Sequence, residues 1–498
     1  MIGFGCYCEE SYWEQIMNRV AGMVSECSAV NLLGSAVSVL RHSSRQLSTV
    51  EMTKMRFTTR ASFLGLILLL ITRPVCAQTL EAGVARVDIT PSPGLLLQGY
   101  PHPERIATGV RDPLYARILV LRAGSTRLAI VDLDLIATFG PAYLSQLRDQ
   151  IQGEVQNLLV VAVHTHSGPA LIPSSTPPPG DWETSAVAKV AEAVRQAATH
   201  MVPARLGVGY GISYIGHNRL RRNRDGTVNW FEPNWTGVST APVDPTVAVL
   251  RIDDVTGSPL AILVNYACHP VVFGPDNRLY SADFPGVMTR VVDRVFDGKP
   301  LCFFLQGADG DINPNYAVTP LQQGAAEYCE RTGTELGRVA AQVAQQIHTA
   351  VDADPSLQFA QDEIRFGPRW NAQQWRAADP RAGDSIAGKT QSEYKLTVTT
   401  VLVDKRIAFL AMPGEPFVDF QMNWRARCPT HDCFFLGYAN GYYGYFPTIT
   451  AASWGGYGAS QASTWMQVGA GERMLDQAFV RVFEMLGRLK PIPEDLQQ

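Results

Sequence analysis

The chain has no basic excess. Over 498 residues, 42 Lys and Arg stand against 46 Asp and Glu, a formal net charge of −4. A partner presenting a phosphate backbone finds no electrostatic footprint on such a chain, so nucleic acid is set aside as a ligand. No CxxC pair occurs, which removes a cysteine-rich metal site. The phosphate-cradling glycine loop, the GxSxG elbow and HExxH are also absent, which removes the signatures of P-loop, serine-esterase and zincin chemistry. Nor is there a run that spans a membrane. The most apolar stretch, residues 61–71 (ASFLGLILLLI), falls well short of the roughly 20 residues a bilayer requires.

That short run has another reading. Lys54, Arg56 and Arg60 precede it, and Val75-Cys76-Ala77 follows with the small residues a signal peptidase accepts. Residues 52–77 are therefore expected to be a signal peptide, residues 1–51 a leader upstream of a true start at Met52 or Met55, and residues 78–498 the mature chain, exported to the periplasm or outside the cell. Of the nine cysteines, five lie in the mature part. Cys428 and Cys433 bracket a four-residue turn and could close a small disulfide loop, whereas Cys268, Cys302 and Cys329 sit in apolar stretches and read as buried thiols.

What is present is an alternation of short apolar runs with amphipathic ones. Residues 128–135, 157–163, 259–266, 300–306 and 406–412 read as strands buried on both faces. Residues 185–201, 324–350 and 471–489 carry apolar positions at three- and four-residue spacing and read as helices. The expected fold class is α/β, a layered domain of mixed sheets flanked by helices, formed by one domain of about 420 residues. Two stretches, 171–181 and 219–236, read as long loops of the kind that carry function.

The polar clusters fall just after the predicted strands. His164 and His166 follow one, His269 a second, Asp309, Asp311 and Asn313 a third, and Glu415 a fourth. Loops beyond the carboxyl ends of parallel strands gather on one edge of a sheet, where ligands bind. In an extended segment His164 and His166 face the same side, about 7 Å apart. That suits two metal ligands, or one ligand and one acid/base group. The run from Gly307 to Asn315 opens like a calcium loop but has Pro314 and Pro320 where a turn glycine and a bidentate glutamate belong, so it reads as a rigid turn. Tyr438, Tyr442, Tyr443 and Tyr445 cluster in a glycine-rich loop whose rings cover a core edge.

Taken in order, HTHSGP at 164–169, GVARVDITP at 83–91 and GVRDPLYAR at 109–117 resemble the catalytic domain of the neutral ceramidases, and the resemblance extends from about 83 to about 460. It implies one catalytic zinc ion held by His164, His269, Glu415 and Tyr445. It also implies His166 as the acid/base group, with Arg219 and Tyr457 on the scissile carbonyl or its oxyanion. The implied reaction is hydrolysis of an N-acyl amide by metal-activated water, ceramide giving a sphingoid base and a fatty acid. The substrate is lipid-like, with peripheral contact to a membrane but no anchor in it. The chain departs from the family twice: Asn313 stands where the family has a serine, and no C-terminal β-sandwich is expected after the tyrosine motifs. An amide can donate to an oxyanion but cannot be a hydroxyl nucleophile. The alternatives are a zinc hydrolase of another exported amide or ester, and an exported non-catalytic protein with a relic zinc site.

Overall fold

Alternation along the strands sorts the apolar side chains into separate layers. In chain order the principal strands are β1 (Glu81–Asp88), β2 (Tyr115–Ala123), β3 (Thr126–Leu133), β4 (Asn157–Ala162), β5 (Val202–Ile212), β6 (Thr246–Asp254), β7 (Pro259–Tyr266), β8 (Leu301–Gln306), β9 (Leu357–Phe366), β10 (Tyr394–Val403), β11 (Ile407–Ala411) and β12 (Asp432–Leu436). The principal helices are α1 (Pro141–Ile151), α2 (Trp182–Thr199), α3 (Asp283–Val295), α4 (Ala325–Gln346), α5 (Val418–Arg427) and α6 (Ala470–Met485). This computed structural model describes residues 79–100, 105–171, 182–231, 241–378, 391–460 and 463–489, all within one compact unit, Gln78–Gln498. The expected leader (1–51) and expected signal peptide (52–77), and residues 172–181 and 232–236 of the two expected loops, lie outside the described residues.

The large sheet has the order β8-β7-β6-β5-β1-β2-β3-β4 and the small one β9-β10-β11-β12. On β2, Ala116, Ile118 and Val120 pack with α1 and α2, while Leu119 and Leu121 point the other way into a core shared with Val401, Phe409 and Phe434 of the small sheet. On β7 and β8, Ile262, Val264 and Phe304 pack with α3 and α4. On the small sheet, Leu402, Leu410 and Phe435 pack with α5 and α6. The result is two sheets face to face with helices on both outer faces, so most strands are buried on both sides, β1, β5 and β9 being the exceptions. The predicted strands and helices all exist, shifted by a few residues at their ends. The loop expected at 219–236 instead begins with a hairpin, Leu220–Arg222 paired with Val228–Trp230.

Pairing is mostly antiparallel, yet β4, β7, β8 and β11 all belong to one of three parallel pairs, β3 with β4, β7 with β8 and β11 with β12. These are the strands that precede the candidate residues. The two ends of the large sheet also meet. The Gln306 carboxamide at the end of β8 donates at 2.9 Å to both Val163 O, just past β4, and Cys268 O, just past β7. Its oxygen accepts from Cys268 N and Gly307 N at 3.2 and 3.1 Å. The outer edge of β4 is closed by Asn440, whose main-chain N–H donates to Val160 O and whose side-chain oxygen accepts from Val160 N.

Cys428 and Cys433 do not form the expected disulfide. They are free thiols hydrogen-bonded to each other, with Cys428 Sγ also 3.2 Å from Thr430 Oγ1. Cys268, Cys302 and Cys329 are buried thiols, as read.

A buried charge cluster braces the end of β3. Arg117 bonds Asp134 at 2.7 Å and lies 3.9 Å from Asp132. One guanidinium serves two carboxyls, and burial pushes the Asp132 group up to about 8 despite Arg117. Because the folded value exceeds the ordinary 3.8, the stability tied to this proton is complete below 3.8 and declines as pH rises toward about 8. Asp132→Asn is therefore expected to flatten the fall of Tm with pH across that window; parallel Tm–pH curves for the two proteins would contradict it.

Candidate active site

The turns beyond β4, β7 and β11 bring His164, His269 and Glu415 together. His164 lies at a positive φ of 71°, which lifts its side chain off the strand line. Its Nδ1 sits 2.6 Å from Ile136 O, and His269 Nδ1 sits 2.7 Å from Asp309 O. A ring nitrogen that close to a carbonyl carries the proton, so both Nε2 atoms present bare lone pairs. Both aim at Glu415 Oε2, at 3.7 Å from His164 and 3.2 Å from His269. The other carboxylate oxygen, Oε1, accepts from the Tyr442 hydroxyl at 2.5 Å.

All three side chains are nearly fully buried. Burial drives the His164 imidazole down to about 3, so it is neutral at neutral pH. Burial alone would raise the Glu415 carboxyl, but His164, His269 and the Tyr442 hydroxyl hold it down to about 2. Two imidazole nitrogens and a carboxylate oxygen thus converge in one buried place. A cation resolves that arrangement, and donors about 2.0–2.2 Å from a tetrahedral zinc stand about 3.3 Å from each other. The observed separations of 3.2 and 3.7 Å fit.

The remaining candidates surround this trio. His166 Nε2 is 3.2 Å from His164 Nε2, and the ligand atoms of His164, His166 and His269 all lie within 4.8 Å of one another. His166 is therefore placed either to bind a metal or to exchange a proton beside it. Tyr445 pairs in parallel register with Glu415 through two-residue strands. Its hydroxyl accepts from Arg219 Nη2 at 3.0 Å, and burial keeps it a neutral phenol. The same Nη2 donates to Gly310 O at 2.6 Å, while Nη1 lies 3.4 Å from Asn313 Oδ1. Tyr457 stands edge-on to Tyr445 at 5.4 Å between centroids. The eight residues singled out from the sequence thus occupy one site.

The turn at 309–313 is rigid for reasons now visible. Asp311 accepts from Val418 N and from Asn218 Nδ2, and Asp309 accepts from the Tyr438 hydroxyl at 2.6 Å. Gly310 lets this turn touch the Glu415 main chain, since a Cβ there would lie 2.6 Å from Glu415 O. The aspartates hold the site's frame and do not form a calcium loop.

The sequence profile of the neutral/alkaline non-lysosomal ceramidases (N-terminal region) matches residues 80–356. The chain belongs to that family. The matched stretch includes His164, His166, Arg219, His269 and Asn313, while Glu415, Tyr445 and Tyr457 lie beyond it. Neutral ceramidase A of Dictyostelium discoideum is 25% identical over 284 residues, 52% of this chain and 39% of that protein. Neutral ceramidase B of the same organism is 25% identical over 282 residues, 52% of this chain and 38% of that protein. The alignments thus span well under half the length of these relatives. Among solved structures, neutral ceramidase from Pseudomonas aeruginosa superposes with a TM-score of 0.65 at 17% identity, covering 84% of this chain and 76% of that one. A ceramidase complexed with C2 gives 0.61 at 17% identity, covering 84% and 78%. The fold is therefore that of a ceramidase-type hydrolase.

Several residues around the site were not singled out by the sequence. Trp230 and Phe231, 40% and 44% exposed, lean on Tyr457 at 5.7 and 4.9 Å between centroids and form an aromatic rim. The Arg219 guanidinium lies under it, 4.9 Å from the Phe231 ring and 5.4 Å from the Tyr457 ring. Only their place in a loop-like stretch marked them. Tyr442 was visible as one of a tyrosine cluster, but nothing in that cluster said which ring meets Glu415. Outer partners of metal ligands are worth about 10–100-fold in affinity, so if Glu415 ligates zinc, Tyr442→Phe is expected to weaken zinc binding by that factor. Competition with a chromophoric chelator measures it; unchanged affinity would mean that Glu415 is not a ligand.

Proposed function

We propose that this chain is an exported, zinc-dependent hydrolase of the neutral ceramidase type that cleaves an N-acyl amide, ceramide to sphingoid base and fatty acid. The observation that carries the reading is the buried convergence of His164 Nε2, His269 Nε2 and Glu415 Oε2 with a histidine and an arginine at its border. Export rests on the signal-peptide pattern of residues 52–77. Among the described residues no helix is long and apolar enough to cross a membrane.

His164, His269 and Glu415 would hold the zinc, with the Tyr445 oxygen as fourth donor through the lone pair that Arg219 leaves free. When bound, the ion supplies Lewis acidity that polarises the substrate carbonyl and lowers the pKa of water. Burial and the neighbouring His164 and His269 hold the His166 imidazole well below its usual range, so it is neutral and able to accept a proton. His166 takes that proton from the attacking water and later delivers one to the departing amine. The Arg219 guanidinium and the Tyr457 hydroxyl stabilise charge on the carbonyl oxygen. Asn313 turns its side-chain oxygen toward Arg219 and so keeps its N–H2 for the substrate. The rim of Trp230, Phe231 and Tyr457 gives the acyl chain an apolar surface outside the polar centre.

Asn313 favours a second reading, the same machinery acting on another exported amide or ester. Hydrolysis of a fluorescent long-chain ceramide, beside short N-acyl amines and esters and with a chelator control, separates the two. Chelator-sensitive ceramide turnover is expected; bound zinc with turnover of short substrates alone would move the assignment to the second reading. His166→Ala is expected to retain zinc and lose about 10²–10⁴-fold in kcat. Lost zinc in that variant, with zinc retained in Tyr445→Phe, would make His166 the ligand instead. Trp230→Ala is expected to lower the kcat/KM ratio of long to short acyl chains about tenfold, the equivalent of roughly two buried methylenes; a constant ratio would remove the rim from substrate binding.

A further inference from the structure

His166 differs from the other two histidines in what orients it. Each of His164 and His269 is fixed by a carbonyl on Nδ1, but His166 Nδ1 is buried with no hydrogen-bond partner among the described residues. Apart from the 3.2 Å contact of its Nε2 with His164 Nε2, its ring is held by packing, and much of that packing comes from a segment remote from the site strands. Gly99, at φ +109°, passes so close that a Cβ there would lie 2.5 Å from His166 Cγ. The Tyr100 ring stands edge-on to the imidazole at 5.0 Å between centroids. Its hydroxyl is anchored on Phe273 O at 2.7 Å.

Behind both lies Arg105, which is 0% exposed. Its guanidinium donates to three main-chain carbonyls on three segments: Gln98 O at 3.0 Å, His166 O at 2.7 Å and Asn277 O at 3.2 Å. It also lies 4.9 Å from the centroid of the Tyr100 ring. Asn277 in turn donates to Ser167 Oγ at 2.9 Å. One buried cation therefore ties the main chain of His166 to the loop that carries Gly99 and Tyr100, and to the loop that holds Ser167. Burying a guanidinium costs several kcal/mol unless its donors are met, so this grip is specific to the three carbonyls.

We infer that Arg105 is a positioning residue for His166: through its three carbonyls and the Tyr100 ring it fixes the imidazole's orientation, which rests on the reading that His166 moves the proton in hydrolysis. Arg105 touches no substrate. Its loss acts on kcat because a misaimed imidazole still lets substrate bind.

The test uses the full chain loaded with zinc. Arg105→Met is expected to keep its zinc and hold KM to within about threefold while kcat drops about a hundredfold, the effect of misplacing a reacting group by about 1 Å. Arg105→Lys, whose ammonium can reach some of the carbonyls, is expected to recover part of the loss. In protein labelled with 15N-histidine, the His166 ring signals should shift or broaden in Arg105→Met while those of His164 and His269 stay in place. A folded, zinc-loaded Arg105→Met with native kcat and native His166 signals overturns the inference. Should that variant not fold, Tyr100→Leu decides: displaced His166 signals with a lower kcat support the clamp, and native values of both overturn it. If the unaltered chain hydrolyses no N-acyl amide, the functional reading fails alone. The ring signals then judge the clamp by themselves, displacement supporting it and native positions overturning it.

Discussion

The site depends on the Gln306 carboxamide. Val163, Cys268 and Gly307 are the residues that follow β4, β7 and β8, and one planar group bonds the main chain of all three. Together with Asp132, which accepts from Phe304 N, and with the packing of Leu159 and Val161 near Phe303 and Leu305, it joins the two ends of an eight-stranded sheet and so gathers the loops of His164, His269 and Asp309. A side-chain amide suits this task because it offers two donors and an acceptor at fixed angles and carries no charge that burial would penalise.

Within that frame the chemistry is set by where hydrogen bonds place protons. Carbonyls on the Nδ1 atoms of His164 and His269 force both Nε2 lone pairs inward, and Tyr442 occupies the outward oxygen of Glu415. The three inner acceptors are left to a cation. The outer partners come from the neighbouring strand of the same sheet: Ile136 from beyond β3, Asp309 from beyond β8, Tyr442 from the tyrosine loop beyond β12. Each parallel pair of strands thus supplies one inner acceptor and the group that orients it.

The Arg219 side joins two loops distant in sequence. The hairpin at 220–230 supplies Trp230 and leads into Phe231, and the glycine-rich turn at 455–458 supplies Tyr457. The Phe231 and Tyr457 rings rest on the guanidinium that bonds Tyr445 and Gly310, and Trp230 leans on both rings. The polar groups and the apolar rim are therefore mechanically one unit.

The strands that end at the site were legible because they are continuous apolar runs with a polar residue just after them; 259–266 was read to the residue. The eight candidates, which the structure gathers in one place, were picked out by motif order and family likeness. The strands between them were not. Segments such as EAGVARVD of β1 and LQFAQDEIRF of β9 alternate or carry charge, and their pairing is with neighbours that no local pattern names. Arg105, Gln306 and Tyr442 stayed hidden for a related reason. Each acts through hydrogen bonds to groups far away in sequence, and Gln306 sits at the end of a strand where a single polar residue reads as a boundary. The sequence by itself determined which side chains can bind a metal and move a proton. Only the tertiary structure decided how each is aimed, because orientation is set by buried hydrogen bonds and ring contacts between segments that meet only once the two sheets have packed.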